Sequence, residues 1–194
     1  MSKKRPSILF PLEIHVLDKQ DKSKYPLRLL RDFACLYDNK LIVPPMGYDT
    51  DFASIPTKWL KRRLEPQKLI ACKEYKSGIK YSVWVYHLDS NGKPVLVGYI
   101  VDPVAYAAVI HDWLYSTECV SRAYADRVFY DILHHANVKW DWLMYAGVRV
   151  GGWPSYPHKK SEVSEDRALG REAYKRVQKI LLTSNEPLLE IANA

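Results

Sequence analysis

The stretch His111-Asp112-Trp113-Leu114-Tyr115 sets an imidazole and a carboxylate side by side in a run, AYAAVIHDWLYS over 105–116, that is otherwise almost wholly apolar or aromatic. Ionisable groups in such a run cost free energy unless they are paired, hydrogen-bonded or metal-bound. A second lone acid, Asp126, stands in ADRVFY over 125–130. On helices, His111 and Tyr115 are four residues apart and share a face. Asp126 shares one with Phe129, Tyr130 and Leu133, the side that turns to a core. If those sides meet, Asp126 reaches His111. A carboxylate on one imidazole nitrogen fixes the tautomer and leaves the other nitrogen as a base or a metal ligand. Asp112 is offset by about 100° around the helix and flanks the same pocket. Asp51, in the loop YDTDFASIP over 48–56, offers a further carboxylate.

That inventory suits two chemistries. In the first, His111 takes a proton from water, Asp126 orients it, and a divalent cation on Asp112 polarises the group under attack. In the second, His111, Asp112 and Asp51 ligate calcium or zinc directly and the metal activates the water. The bland alternative is a buried polar clasp that serves the fold alone. Arg149 can hold an anion or pair with an acid of the site. Ser54 is a candidate helix cap and lacks the GxSxG context of a nucleophile. His134-His135 ends a helix, where the dipole favours a cation.

The elements that must position these groups follow from periodicity and turn residues. Pro103 opens a helix through Ser116, and Ser121 caps one over Arg122–Ala136. A third helix over Asp141–Val150 stops at Gly151-Gly152. A final amphipathic helix covers Glu162–Leu182. Upstream, Ser7–Phe10, Glu13–Leu17 and Leu41–Val43 read as strands, and Arg28–Tyr37 as strand or short helix. Ile79–Leu88 and Pro94–Val101, joined by DSNG, read as a β-hairpin, an insertion or a lid from its place in the chain. The expected fold is α+β: a small antiparallel sheet from the N-terminal half packed on a C-terminal helical bundle. Residues 1–6 form a basic arm, 7–182 one domain, and 183–194 a tail.

The 194 residues, 47% of them hydrophobic, suffice for one domain with a real core and exclude a disordered chain. The net charge of +7 permits an acidic partner or an anionic lipid. Nucleic-acid binding would need a clustered basic face, so it is not expected. Cys35, Cys72 and Cys119 are too few and too scattered for a disulfide framework or a cysteine zinc knuckle. No apolar run reaches the ~18 residues of a transmembrane helix. Residues 1–12 lack the apolar core of a secretory signal. A cytoplasmic site of synthesis follows as the expectation.

Four blocks, TDFASIP (50–56), VIHDWLY (109–115), ADRVF (125–129) and MYAGVRVGGW (144–153), resemble an uncharacterised domain family of tailed bacteriophages and prophages. The resemblance implies a phage origin and a role in the virion, its assembly or lysis, with other virion proteins as partners. The pair HDxxY and ADxxF is also similar to the helix pair of small prokaryotic phospholipases A2. That similarity implies His111 as base, Asp112 as calcium ligand and Asp126 as the group orienting the histidine. The glycine-rich calcium loop and the disulfide cysteines of that family are absent, so TDFASIP would have to replace the former. The leading expectation is a phage-encoded hydrolase-like site acting on envelope lipid or peptidoglycan, in the host cytoplasm or the virion. The alternative is a non-catalytic virion component, such as a tail protein, favoured by the aromatics over 140–156 and the basic arm.

Overall fold

The computed structural model describes residues 6–17, 27–50, 81–151 and 160–183. The basic arm before Pro6, the loop with Asp51 and Ser54, the aromatic segment over 153–158 and the tail lie outside the described residues. In chain order the elements are β1 (Ser7–Ile8), β2 (Leu12–Val16), β3 (Leu27–Leu29), β4 (Cys35–Tyr37), β5 (Lys40–Ile42), β6 (Asp49–Thr50), β7 (Ser82–Leu88) and β8 (Pro94–Val101), then α1 (Pro103–Thr117), α2 (Arg122–His135), α3 (Asp141–Gly151) and α4 (Lys160–Thr183). The architecture is α+β.

The strands form two sheets rather than one. β1, β4 and β5 make a three-stranded antiparallel sheet, and the second runs β6-β3-β2-β7-β8. Within it β2 is antiparallel to β3 but parallel to β7, so the larger sheet is mixed. Parallel neighbours need a long crossover, which the stretch between Val16 and Ser82 supplies. Alternating side chains report a strand but not the direction of its neighbour, hence the difference from the antiparallel expectation. Arg28–Tyr37 resolves into two strands, β3 and β4, one in each sheet.

The hairpin β7–β8 turns through Asp89, whose side chain accepts from the amides of Asn91 and Lys93. Gly92 takes a left-handed φ of 73° there, a conformation glycine adopts without strain. β7 pairs along β2 as well as β8, so the hairpin is part of the sheet.

Helix α1 is the centre of the core. Asp102 caps it, accepting from the amides of Val104 and Ala105, with Pro103 in the first turn. All of its residues are buried except Pro103, Asp112 and Ser116. The sequence suggests a stripe, but the helix is enclosed on every side, as expected of one apolar all round. Tyr106 ties it to the sheet: its hydroxyl accepts from the Leu12 amide at 2.9 Å and donates to the Ser82 carbonyl at 2.6 Å. On the other side Gly170 of α4 lets Trp113 approach so closely that a Cβ there would sit 2.6 Å from Cζ2 of the indole. Arg167 of α4 donates to the Thr117 and Glu118 carbonyls at the end of α1. Among the described residues, no helix is long and apolar enough to cross a membrane.

Candidate functional site

Helices α1, α2 and α3 meet around one carboxylate. Asp126 of α2 is fully buried. Its Oδ1 accepts from the Tyr115 hydroxyl at 2.5 Å and lies 2.8 Å from His111 Nε2. Its Oδ2 accepts from Arg149 Nη1 of α3 at 2.7 Å. Arg122, one turn earlier on α2, stands with Nε 3.9 Å from Oδ2 and donates to the Tyr115 hydroxyl at 3.1 Å. The same guanidinium reaches the carbonyls of Val148 and Arg149, so it holds the end of α3 against the site. An arginine on these last-turn carbonyls complements the dipole of α3.

The imidazole is buried, its ring centre 4.1 Å from that of Tyr115 and 5.3 Å from that of Phe129, tilted against both. Its Nδ1 edge faces the Asp112 carboxylate at 3.8 Å, beyond direct hydrogen-bond length. Asp112 in turn accepts from Thr50 Oγ1 at 2.7 Å. That bond joins α1 to β6, the last described strand before the DFASIP residues.

Electrostatics follow from this layout. Burial pushes the His111 pKa down, but the carboxylates of Asp112 and Asp126 outweigh it and hold it above its usual 6.5. Burial pushes Asp126 up, and His111, Tyr115 and Arg149 more than reverse this, so its carboxyl lies below the usual 3.8. The Tyr115 hydroxyl is raised by burial and by its bond to Asp126. The cluster is therefore a carboxylate flanked by a guanidinium, a phenol and an imidazole whose protonated form the two carboxylates favour.

The structure thus brings together His111, Asp112, Tyr115, Asp126 and Arg149. Asp51 and Ser54 lie outside the described residues. Arg149 is an ion-pair partner of Asp126. Two contributors went unread in the sequence. Arg122 carries a usable signal, being four residues before Asp126 on one helix. Thr50 carries one as well, as the neighbour of Asp51 in the loop that the sequence brings to the site. Outside this cluster, His134 pairs with Asp141 at 2.8 Å besides standing at the end of α2. Among the described residues, no group of three or more His, Cys, Asp or Glu side chains gathers as a metal cage. Asp112 is the one carboxylate on the Nδ1 side there, and it is already bonded to Thr50. Of the expected ligand set His111, Asp112 and Asp51, the described residues hold the first two.

Residues 94–148 match a family model described as a protein of unknown function, DUF1353. The match takes in β8, α1, α2 and most of α3, with His111, Asp112, Tyr115, Arg122 and Asp126 inside it. No curated protein and no solved structure matches the chain.

Proposed function

We propose that His111 and Asp126 form a base dyad in a phage-encoded hydrolase-like protein that acts on envelope material, lipid or peptidoglycan. One observation carries the reading: Asp126 grips Nε2 of the imidazole at 2.8 Å and leaves Nδ1 on the side of Asp112 and Thr50. That is the division of labour a general base needs, one nitrogen oriented and the other turned to the reaction. Neutral His111 takes a proton from water at Nδ1 as the water oxygen attacks an ester or amide carbonyl. The proton passes to the leaving oxygen or nitrogen as its bond to the carbonyl carbon breaks. Tyr115 and Arg149 hold Asp126 ionised throughout. The resemblance of HDxxY and ADxxF to prokaryotic phospholipases A2 supports the same assignment, and the four sequence blocks support the phage origin.

The base form exists only above the raised pKa of His111, so turnover rises with pH through a value above 6.5. The test is a screen of the purified chain against fluorogenic phospholipids and labelled peptidoglycan, beside His111→Gln. The reading expects product release with this pH profile, lost in the variant while its circular dichroism is unchanged. Turnover retained by His111→Gln, or none from the wild type on either substrate, overturns it.

A second reading, a virion component whose cluster only specifies the fold, is favoured by the burial of His111 and by the three side chains already bonded to Asp126. It expects His111→Gln to lower the melting temperature with no activity on any substrate in either form.

A further inference from the structure

Helix α3 closes the Asp126 site from outside, yet it is the least anchored of the three helices that meet there. Twelve of the fifteen residues of α1 are buried and six of the fourteen of α2, but one of the eleven of α3, Val148. Met144 and Tyr145 pack partly against the core, while Trp142, Leu143 and Val150 are exposed. The helix is also weak by itself. Gly147 stands in its middle, where a Cβ would meet nothing within 4 Å. Packing does not call for a glycine there, and glycine disfavours the helix about fivefold against alanine. At eleven residues, α3 falls short of the ~12–15 below which an isolated helix is marginal in water.

The strongest ties of α3 are polar and sit at its two ends. At the start, Asp141 pairs with His134 of α2, whose side chain is half exposed. At the other end Arg149 reaches from the surface to the buried Asp126 carboxylate, and Arg122 donates to the Val148 and Arg149 carbonyls. Ion pairs with one partner in water hold weakly. The turn from α2 into α3 carries two left-handed residues, Asn137 at φ 52° and Trp140 at φ 68°. For a bulky tryptophan that conformation is strained, and melting of α3 relieves it. The other two helices keep their own packing without α3: Phe129, Ile132 and Leu133 hold α2 in the core that surrounds α1.

We propose that α3 is a strap that melts from the α1–α2 pair while the rest of the fold stays intact, and that its melting uncovers Asp126. Segments with few buried apolar contacts open at a lower free energy than the whole molecule. With α3 gone, Asp126 Oδ2 loses Arg149 and meets water, while Oδ1 keeps His111 and Tyr115. The site thus has a closed state with a dry carboxylate and an open state in which solvent reaches the group that orients His111. Opening is read without turnover; only its bearing on catalysis rests on the proposed dyad.

The test is amide hydrogen exchange of the full chain read by mass spectrometry, beside labelling of its carboxyl groups with a carbodiimide and an amine. Amides within α3 exchange by one common factor, roughly tenfold or more faster than those within α1 and α2. Gly147→Ala slows α3 exchange about fivefold, the difference in helix propensity, slows labelling of Asp126 by the same factor, and leaves exchange in α1 unchanged. Arg149→Gln, which loosens one end of the strap, speeds both readouts, and so does His134→Ala at the other end. Equal protection across the three helices overturns the inference. So does an equal slowing of α1 and α3 by Gly147→Ala, because α3 then opens only with the whole fold. Asp126 labelling that stays constant while Gly147→Ala slows α3 overturns it too, because the helix then frays in place without uncovering the site.

Discussion

Asp126→Asn probes the cluster most directly. Asparagine keeps the shape but offers one acceptor oxygen and one donor NH2 where two acceptor oxygens stood. His111, Tyr115 and Arg149 all present donors to Asp126, so at least one of them faces another donor whichever way the amide turns. Removing one member of a buried ion pair costs about 3–5 kcal/mol. The Arg149 side chain is 41% exposed, and water takes over much of its loss, so its share falls towards the ~0–1 kcal/mol of a surface pair. The Tyr115 and His111 bonds to a charged acceptor are each worth about 1.5–3 kcal/mol. With one of the two partly kept, the expected loss is about 3 kcal/mol. In a chain of this size that lowers the melting temperature by about 6–12 °C.

The assay is urea unfolding followed by circular dichroism at constant m, repeated from about pH 5.5 to about pH 8, where histidine titrates. The His111 pKa is higher folded than the usual 6.5. Its contribution is therefore complete below the unfolded value and is lost as pH rises through the folded one. Asp126 has the opposite sense: its folded pKa lies below 3.8, so its contribution is present above that value and disappears only as pH falls through the folded one. Wild type should thus lose stability across the neutral range more steeply than Asp126→Asn, in which only Asp112 still holds the imidazolium. A loss below about 1 kcal/mol, or equal slopes with pH in the two proteins, would refute the coupling of His111 to a charged Asp126.

Three further outcomes follow from packing and burial. Gly170→Ala places a methyl carbon 2.6 Å from the buried Trp113 ring, and overpacking of ~1–3 kcal/mol outweighs the ~1 kcal/mol gained in helix propensity; a higher midpoint in urea would contradict that close approach. Tyr106→Phe strips the Leu12 amide and the Ser82 carbonyl of a shared hydroxyl and should cost about 1–3 kcal/mol, read as a lower urea midpoint; an unchanged midpoint would sink the claim that this hydroxyl ties α1 to the sheet. Burial pushes the Cys35 thiol up to about 12, so alkylation followed by peptide mass spectrometry should find it protected in the native protein while the exposed Cys119 reacts; equal labelling rates would mean that β4 opens to solvent.

Much of this was legible in the chain. The hairpin could be read because DSNG lies between two runs of alternating β-formers. The helix starts could be read because Pro103 and Ser121 are local signals that act within one turn, whereas the cap at Asp102 came from the structure. His111, Tyr115 and Asp126 could be assembled before any coordinates because helical spacing dictates which residues share a face. By itself the sequence determined the α+β class, the order of helices and the pairing of one histidine with one acid. Tertiary structure alone decided the rest. The parallel register of β2 and β7 comes from a crossover that no local pattern encodes. The bond from Thr50 to Asp112 joins residues far apart in the chain. The grip of Arg149 on Asp126 depends on where α3 comes to rest, as do the bonds from Arg122 to the Val148 and Arg149 carbonyls. Local spacing fixes what a segment can present, and only packing decides what meets it.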